Sequence, residues 1–549
     1  MFQEGAITRR GDTCFRPLCL LPSSWQGDGR DGFQKDGKVR GCSDSFFCGP
    51  SWMRPPSLSR SCLIFIKEVE VKIPRLHHLW ISRWLLLALL VIWGDQAPFR
   101  GAGQSAGAAS VFPYTLYLPI IARFHDPGYT SPFGITMYGA VDDAWGLSRM
   151  KEAGARWVVT ILSWSTVEPA RGSFNWSSFD EKVRNAQGAG MEVFVLFTDN
   201  PSWAAALPGG PVTDTQDLVD FVTRMAERYD CDGIEDAPGS PCVHYWSFYA
   251  EPDNGDLGRA RDGKGYWGHN GAGFAAMLAQ VSPAIHAANP RAKVLIGGLA
   301  YDWFEEDGGP FVRSFLTDTL RALNALGGGE GQARRFIDAV AFHYYPISPN
   351  RWPTLREKAL EIRGIMERHG IGDLPLLVPE MGFWSDPTAG SSEELQAQRL
   401  AQMLVRGLSV DLRMLAWFSV FDDGPGTEAH GLFRDRDLNN PKPSYWAYQT
   451  LTRELHGARY LHPLEIPGVE AYVFRMPEGV EKTVLWARGS NTAVDFPYPC
   501  LRLVDTVGTV YDPIRDGDPN WDGDGTANGR IRLGIYVDQP FYVMPRPCP

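Results

Sequence analysis

Eight short apolar runs recur between residues 132 and 421: "PFGITMYG", "RWVVTILSW", "MEVFVLFTDN", "VHYWSFYAE", "AKVLIGGLA", "IDAVAFHYY", "LPLLVPEMGF" and "RMLAWFSVF". Stretches with helical spacing alternate with them. In "DTQDLVDFVTRMAERY", Leu218, Phe221, Val222, Met225 and Tyr229 share one helical face behind Asp214, a residue type that caps helix N-termini. Runs apolar on both faces have no wet side, so the alternation predicts a parallel sheet covered by helices. Eight units over about 325 residues fit a closed (β/α)8 TIM barrel, residues 131–455, better than an open doubly wound sheet. No glycine-rich phosphate fingerprint follows the first run, so a dinucleotide fold lacks its key feature and no cofactor is called for.

After "PKPSYWAYQTLTREL", which reads as the last barrel helix, the texture changes. Residues 456–549 carry short strand-like runs ("EAYVFRM", "KTVLWAR", "RLVDTVGTVYD", "RIRLGIYV", "PFYVMP") between turn residues, the pattern of a small β-sandwich domain. Within it "DGDPNWDGDGTANG" reads as a solvated hairpin loop, because its spacing misses the EF-hand ligand pattern.

Upstream of the barrel, the segment Leu79 to Gly94 holds ten uninterrupted apolar residues after a basic approach and before the small-residue run "GAGQSAGAAS". That pattern makes residues 79–109 a secretory signal peptide, with an uncleaved signal anchor as the alternative. Residues 1–78 form an extension of doubtful status, with Met53 or a later codon as the expected start, and residues 110–130 form a linker. The expected location is secreted or extracytoplasmic, with a membrane as partner only if the segment stays uncleaved. Five of the nine cysteines lie upstream of the apolar segment. The remaining four are expected to pair by proximity as Cys231 with Cys242 and Cys500 with Cys548. A net charge of −11, with no basic run interleaved with aromatics, excludes the electrostatic footprint of nucleic-acid binding.

In such barrels the active site is built at the carboxyl ends of the strands. Glu251 ends the fourth run and Glu380 the seventh. Two carboxylates facing each other across a barrel mouth are what glycoside cleavage requires, one to protonate the leaving oxygen and one to attack or to activate water. The strand tips lack the His and Asp clusters that zinc requires, so no metal is expected.

The pattern resembles clan A of the glycoside hydrolases, and the β-domain resembles those of xylosidase-like and galactosidase-like families. The resemblance rests on "SWSTVEPARGSFNW" (163–176), "DNPSWA" (199–204), "FHYYP" (342–346) and "AWFSVFDD" (416–423), in the right order on the right strands. It implies a retaining glycosidase acting on an oligo- or polysaccharide, with Glu251 as acid/base and Glu380 as nucleophile. It further implies that Tyr345 orients Glu380, that His343 lines the floor and that Trp417 stacks under the sugar. Trp203, Trp164 and Trp384 would line the cleft, although tryptophans serve equally well as core.

One position departs from the family. Where these enzymes have Asn-Glu-Pro at strand 4, this chain has Ala250-Glu251-Pro252. The family's asparagine amide binds the sugar 2-hydroxyl, so either the rate is lowered, the substrate lacks that hydroxyl, or Asn254 or another residue of loop 252–272 reaches in. A catalytically weakened carbohydrate-binding barrel is the alternative function.

Overall fold

The computed structural model describes residues 131–346, 352–422 and 429–548; the extension, the signal segment and the linker fall outside these residues. The eight apolar runs form β1 (Phe133–Thr136), β2 (Trp157–Ser163), β3 (Glu192–Thr198), β4 (Tyr245–Phe248), β5 (Lys293–Leu299), β6 (Ala339–Tyr344), β7 (Leu376–Met381) and β8 (Met414–Trp417). They pair in parallel in sequence order, and β1 closes on β8, so the expected TIM barrel is present. The helices are α1 (Leu147–Glu152), α2 (Trp164–Val167), α3 (Ser177–Gly188), α4 (Thr215–Arg228), α5 (Leu257–Arg261), α6 (Gly271–Ala288), α7 (Phe315–Gly327), α8 (Leu355–Arg368), α9 (Glu393–Leu408) and α10 (Pro443–Glu454).

Successive strand side chains point to opposite faces, and both faces are filled. Trp157, Val159, Phe194, Leu295, Ala339, Ala341, Leu377, Met414 and Ala416 form one cluster inside the barrel. Their neighbours Val158, Val193, Ile296, Val340, Phe342, Val378, Leu415 and Trp417 join the larger cluster under the helices. Gly134 lies where strands crowd: a Cβ there would sit 2.9 Å from that of Trp157 and 3.2 Å from that of Ala416. Helix α4 forms as its spacing predicts. Asp214 caps it by accepting from the Gln216 N–H at 3.0 Å, and Leu218, Phe221, Val222 and Met225 are buried, each contributing about 1.5–3 kcal/mol.

The C-terminal region contains β9 (Arg459–Pro463), β10 (Val469–Arg475), β11 (Glu481–Ala487), β12 (Thr492–Phe496), β13 (Cys500–Val504), β14 (Val510–Arg515), β15 (Ile531–Ile535) and β16 (Phe541–Pro545). Six of them form an antiparallel sheet in the order β14-β13-β16-β11-β10-β9, and β12 pairs with β15. Ala471, Leu485, Leu501, Leu503 and Val543 pack against Val494, Phe496, Ile531, Leu533 and Ile535 of the small sheet. The alternate residues Tyr472, Phe474, Val484, Trp486 and Tyr542 belong instead to the barrel's outer core. The central strands of the six-stranded sheet, β10, β11, β13 and β16, are thus buried on both faces, while the outer strands β9 and β14 are largely exposed.

Ion pairs rim this contact. Arg406 of α9 binds Glu470 at 2.7 and 2.8 Å, and Glu454 at the end of α10 accepts from Lys482 at 2.8 Å and from Arg502 at 2.8 and 2.9 Å. Burial would push the Glu454 carboxyl up, but Arg502 and Lys482 outweigh it and hold it at about 2.

Both expected disulfides form, with Cα–Cα separations of 5.0 Å for Cys231–Cys242 and 5.3 Å for Cys500–Cys548. The aspartates of the 516–529 loop are spent on its own backbone: Asp516 accepts from Asn528 N–H at 3.0 Å, and Asp522 from Gly517 and Arg532 N–H at 2.8 and 3.0 Å. The run "RLVDTVGTVYD" is not one strand but two, β13 and β14. Asp505 folds it back by accepting from the N–H groups of Val507 and Thr509, while Gly508 takes φ 99°.

Candidate active site

Glu251 and Glu380 meet at the carboxyl-end mouth of the barrel with the imidazole of His343 between them. His343 Nδ1 lies 3.5 Å from Glu251 Oε1, and its Nε2 lies 3.9 Å from Glu380 Oε2. Three strands create this arrangement. On β6 the inward phase of Ala339 and Ala341 continues to His343 and then Tyr345, and His343 is the register partner of Glu380 on β7. On β5, Gly298 leaves the space that the imidazole fills, since a Cβ there would fall 2.1 Å from Nε2.

The turn after β4 aims Glu251. Tyr249 (φ 62°) and Glu251 (φ 50°) both adopt the left-handed backbone that costs a non-glycine residue about 1–2 kcal/mol. Tertiary bonds hold that strain in place: the fully buried Tyr249 donates its hydroxyl to Asn200 Oδ1 at 2.9 Å, and the Glu251 N–H donates to the Gly298 carbonyl at 3.0 Å.

The two carboxylates have different surroundings. Glu380 accepts from two phenols, Tyr345 on Oε1 and Tyr138 on Oε2, each at 2.6 Å. Burial, and then the Glu380 charge, push both phenols well up, so they remain donors. Glu251 instead faces cations. Its Oε2 pairs with Arg259 of α5. Burial would raise its carboxyl, but His343, Lys264 and Arg259 together outweigh burial and hold it at about 2. Asp253, two residues on, braces the turn by accepting from the N–H groups of Ala300 at 3.0 Å and Tyr301 at 2.7 Å, and burial raises it to about 6.

Tyr138, Arg259 and Lys264 were not legible as site residues. Tyr138 lies within the first apolar run, two residues past the end of β1 and in the inward phase of Gly134 and Thr136, and that phase is the one signal that pointed to it.

The tryptophans require corrections. Trp417 is fully buried, with its indole N–H donating to the His430 carbonyl at 2.9 Å, so it is core and presents no face to a sugar. The strand's alternation places the next residue, Phe418, at the mouth instead, with its ring 5.7 Å from Tyr138 and 6.3 Å from Tyr345. Trp164 is likewise fully buried, bonded to Glu168 at 2.8 Å and packed on Phe197 and Phe221. Trp203 packs edge-on to Trp164, donates to the Glu168 carbonyl at 3.1 Å and lies under the Arg171 guanidinium. Among the described residues these contacts are with Trp164, Glu168 and Arg171, not with the two glutamates. Trp384 does connect to the mouth: it stacks on Phe383 and meets His430 edge-on at 6.3 Å, and His430 lies 5.3 Å from Tyr345.

At the position of the family's asparagine, Ala250 contributes a carbonyl that accepts from Gly265 N–H at 2.7 Å. Asn254 does not replace the missing amide. It is fully buried, and its Nδ2 is spent on the carbonyls of Asp256 and Gly265 at 3.0 and 2.8 Å. Among the described residues, the group with metal-ligand spacing is Asp230, Asp232 and Asp236. It precedes β4, at the end of the barrel opposite the mouth.

The model of a β-galactosidase family, Glyco_hydro_42, matches residues 143–210, from just before α1 through β3 to the loop that follows it. A family 39 glycoside hydrolase from the gut symbiont Bacteroides cellulosilyticus WH2 superposes with a TM-score of 0.55 at 19% identity, covering 76% of this chain and 81% of that one. A monomeric β-xylosidase from Caulobacter crescentus CB15 gives 0.52 at 13% identity, covering 76% and 97%. A GH30 endoxylanase from Clostridium papyrosolvens C71 gives 0.51 at 12%, covering 76% and 98%. No curated protein sequence matches the chain. The chain is thus a closed (β/α)8 barrel, similar in fold to these glycoside hydrolases and, over residues 143–210, similar in sequence to a β-galactosidase family.

Proposed function

We propose that this protein is a retaining glycosidase that hydrolyses the O-glycosidic bonds of a β-linked glycan by double displacement. The observation that carries the reading is the pair of carboxylates flanking one imidazole at the barrel mouth, one of them held by two phenols. Glu380 is the nucleophile: two charge-assisted hydrogen bonds fix its oxygens for attack on the anomeric carbon. Glu251 is the acid/base, delivering a proton to the leaving oxygen and then taking one from the water that releases the sugar. Phe418 and Trp384 supply apolar ring faces for the sugar's C–H side. The signal-like segment and the two disulfides support export.

Ala250 favours a second reading, a barrel that binds glycans and turns them over poorly. Loss of one transition-state contact lowers the rate by about a hundredfold or more, on the order of 2–4 kcal/mol. The test is hydrolysis of aryl β-xyloside, glucoside, galactoside and mannoside by the wild type and by Glu380→Ala. Activity that depends on Glu380, with azide restoring an anomerically inverted product in the variant, is the expected result. Glycan binding without any turnover would select the second reading.

A further inference from the structure

The charges around Glu251 do not match what an acid catalyst needs at rest. Its carboxyl must carry a proton when the leaving oxygen departs, yet it is held at about 2. His343 is the largest cause, and two cations on one short loop, Lys264 and Arg259, add to it. Arg259, on α5, pairs with Oε2 while its guanidinium lies over the Phe311 ring at 5.0 Å. Its Nε is buried and has no hydrogen-bond partner among the described residues. Lys264 lies three residues beyond α5, where the Gly265 N–H ties the loop to the Ala250 carbonyl. It acts on Glu251 through its charge and forms no ion pair or side-chain hydrogen bond among the described residues. The remaining charged or titratable neighbours that interact with Glu251 are Tyr138, Asp253, His343, Tyr345 and Lys358. Arg259 and Lys264 thus set two positive charges against the one Glu251 carboxylate.

Position gives this surplus a meaning. Glu380, which holds the glycosyl half, lies across His343 from Glu251, whereas Arg259 and Lys264 belong to the loop that follows Glu251. We propose that Arg259 and Lys264 recognise an anionic substituent, a carboxylate or a sulfate, on the leaving-group half of the glycan; this inference rests on the glycosidase reading. An anion that takes Arg259 and neutralises Lys264 removes two of the three partners that keep Glu251 ionised, leaving His343. Glu251 then takes a proton from solvent and passes it to the leaving oxygen as Glu380 bonds to the anomeric carbon. Substrate charge thus arms the acid.

Matched 3-carboxyphenyl and 3-carbamoylphenyl β-glycosides of each sugar in the panel test this, because they differ in charge at nearly constant shape. For the wild type, the carboxylate should be favoured about 10- to 100-fold in kcat/KM at low salt, and the advantage should shrink at high salt. Arg259→Gln and Lys264→Gln should each reduce the ratio. Lys264 makes no bond whose loss would disturb the fold, so its variant guards against misfolding. Equal rates on the two glycosides, or a preference untouched in both variants, would overturn the inference while Glu380-dependent hydrolysis of the neutral glycoside left the glycosidase reading intact. Failure to hydrolyse either compound would remove that reading, and the inference with it.

Discussion

Replacing Gly298 by alanine strikes the site without touching a carboxylate. The new Cβ would fall 2.1 Å from His343 Nε2, 2.6 Å from Cδ2 and 3.0 Å from Cε1. To regain an ordinary contact of ~3.4 Å the ring must withdraw by roughly 1.3 Å, and a close-packed interior resists this. His343 is only 3% exposed, so it cannot swing into solvent. Overpacking of this kind costs about 1–3 kcal/mol of stability, and a displacement of about 1 Å at a catalytic centre costs about a hundredfold in rate. The assay pairs kcat on the best aryl glycoside with urea unfolding, for Gly298→Ala alone and in a His343→Ala background. With the imidazole gone the clash disappears, and the added methyl should then change stability by less than ~0.5 kcal/mol. Full activity in the single variant, or an undiminished stability cost in the double variant, would refute the packing argument.

Three further outcomes are expected. Tyr138→Phe and Tyr345→Phe each remove one charge-assisted bond to Glu380 and should each lower kcat/KM about 10- to 100-fold, with less than additive losses when combined. Phe418→Ala should raise KM, whereas Trp417→Phe should lower the melting temperature and leave KM unchanged; the opposite assignment would restore Trp417 to the cleft. Glu454→Gln strands Lys482 and Arg502 and should cost about 3–5 kcal/mol at neutral pH. The wild-type carboxyl is held at about 2, below its ordinary 4.5, so its stabilising effect is present above pH 4.5 and lost as pH falls towards 2. Urea midpoints across that window should fall in the wild type and lose this component in the variant.

The barrel was legible because its strands are buried on both sides, which leaves apolar runs long enough to count, and because α9 (Glu393–Leu408) and α4 keep helical spacing behind good N-caps, Ser392 and Asp214. That same double burial hid which residue faces inward. With Met414 to Phe418 apolar throughout, the phase of β8 could not be read, and the ring expected at the mouth was placed one residue early, on Trp417. In the C-terminal region, β9 and β12 are five residues each with mixed polarity and left no signal, and a single turn at Asp505 split a run that looked continuous. The glutamates stood out because an acid ending an apolar strand is conspicuous. Arg259 and Lys264 did not, because a cation in a loop is ordinary until the backbone folds it back onto a carboxylate.

The second buried face of the six-stranded sheet makes the C-terminal region inseparable from the barrel. Arg406 of α9 lies 5.3 Å over the Trp486 ring, and Tyr472, Phe474 and Tyr542 fill the same seam. Ending the chain after residue 455 would turn this seam into a wide apolar surface and would leave Glu454 without its two cations. The two halves should therefore melt in one cooperative transition. They must also be inherited together, because this sheet cannot be exchanged between enzymes as a tethered carbohydrate module can. Diversification is left to the loops at the mouth, the part of the molecule that this seam does not constrain.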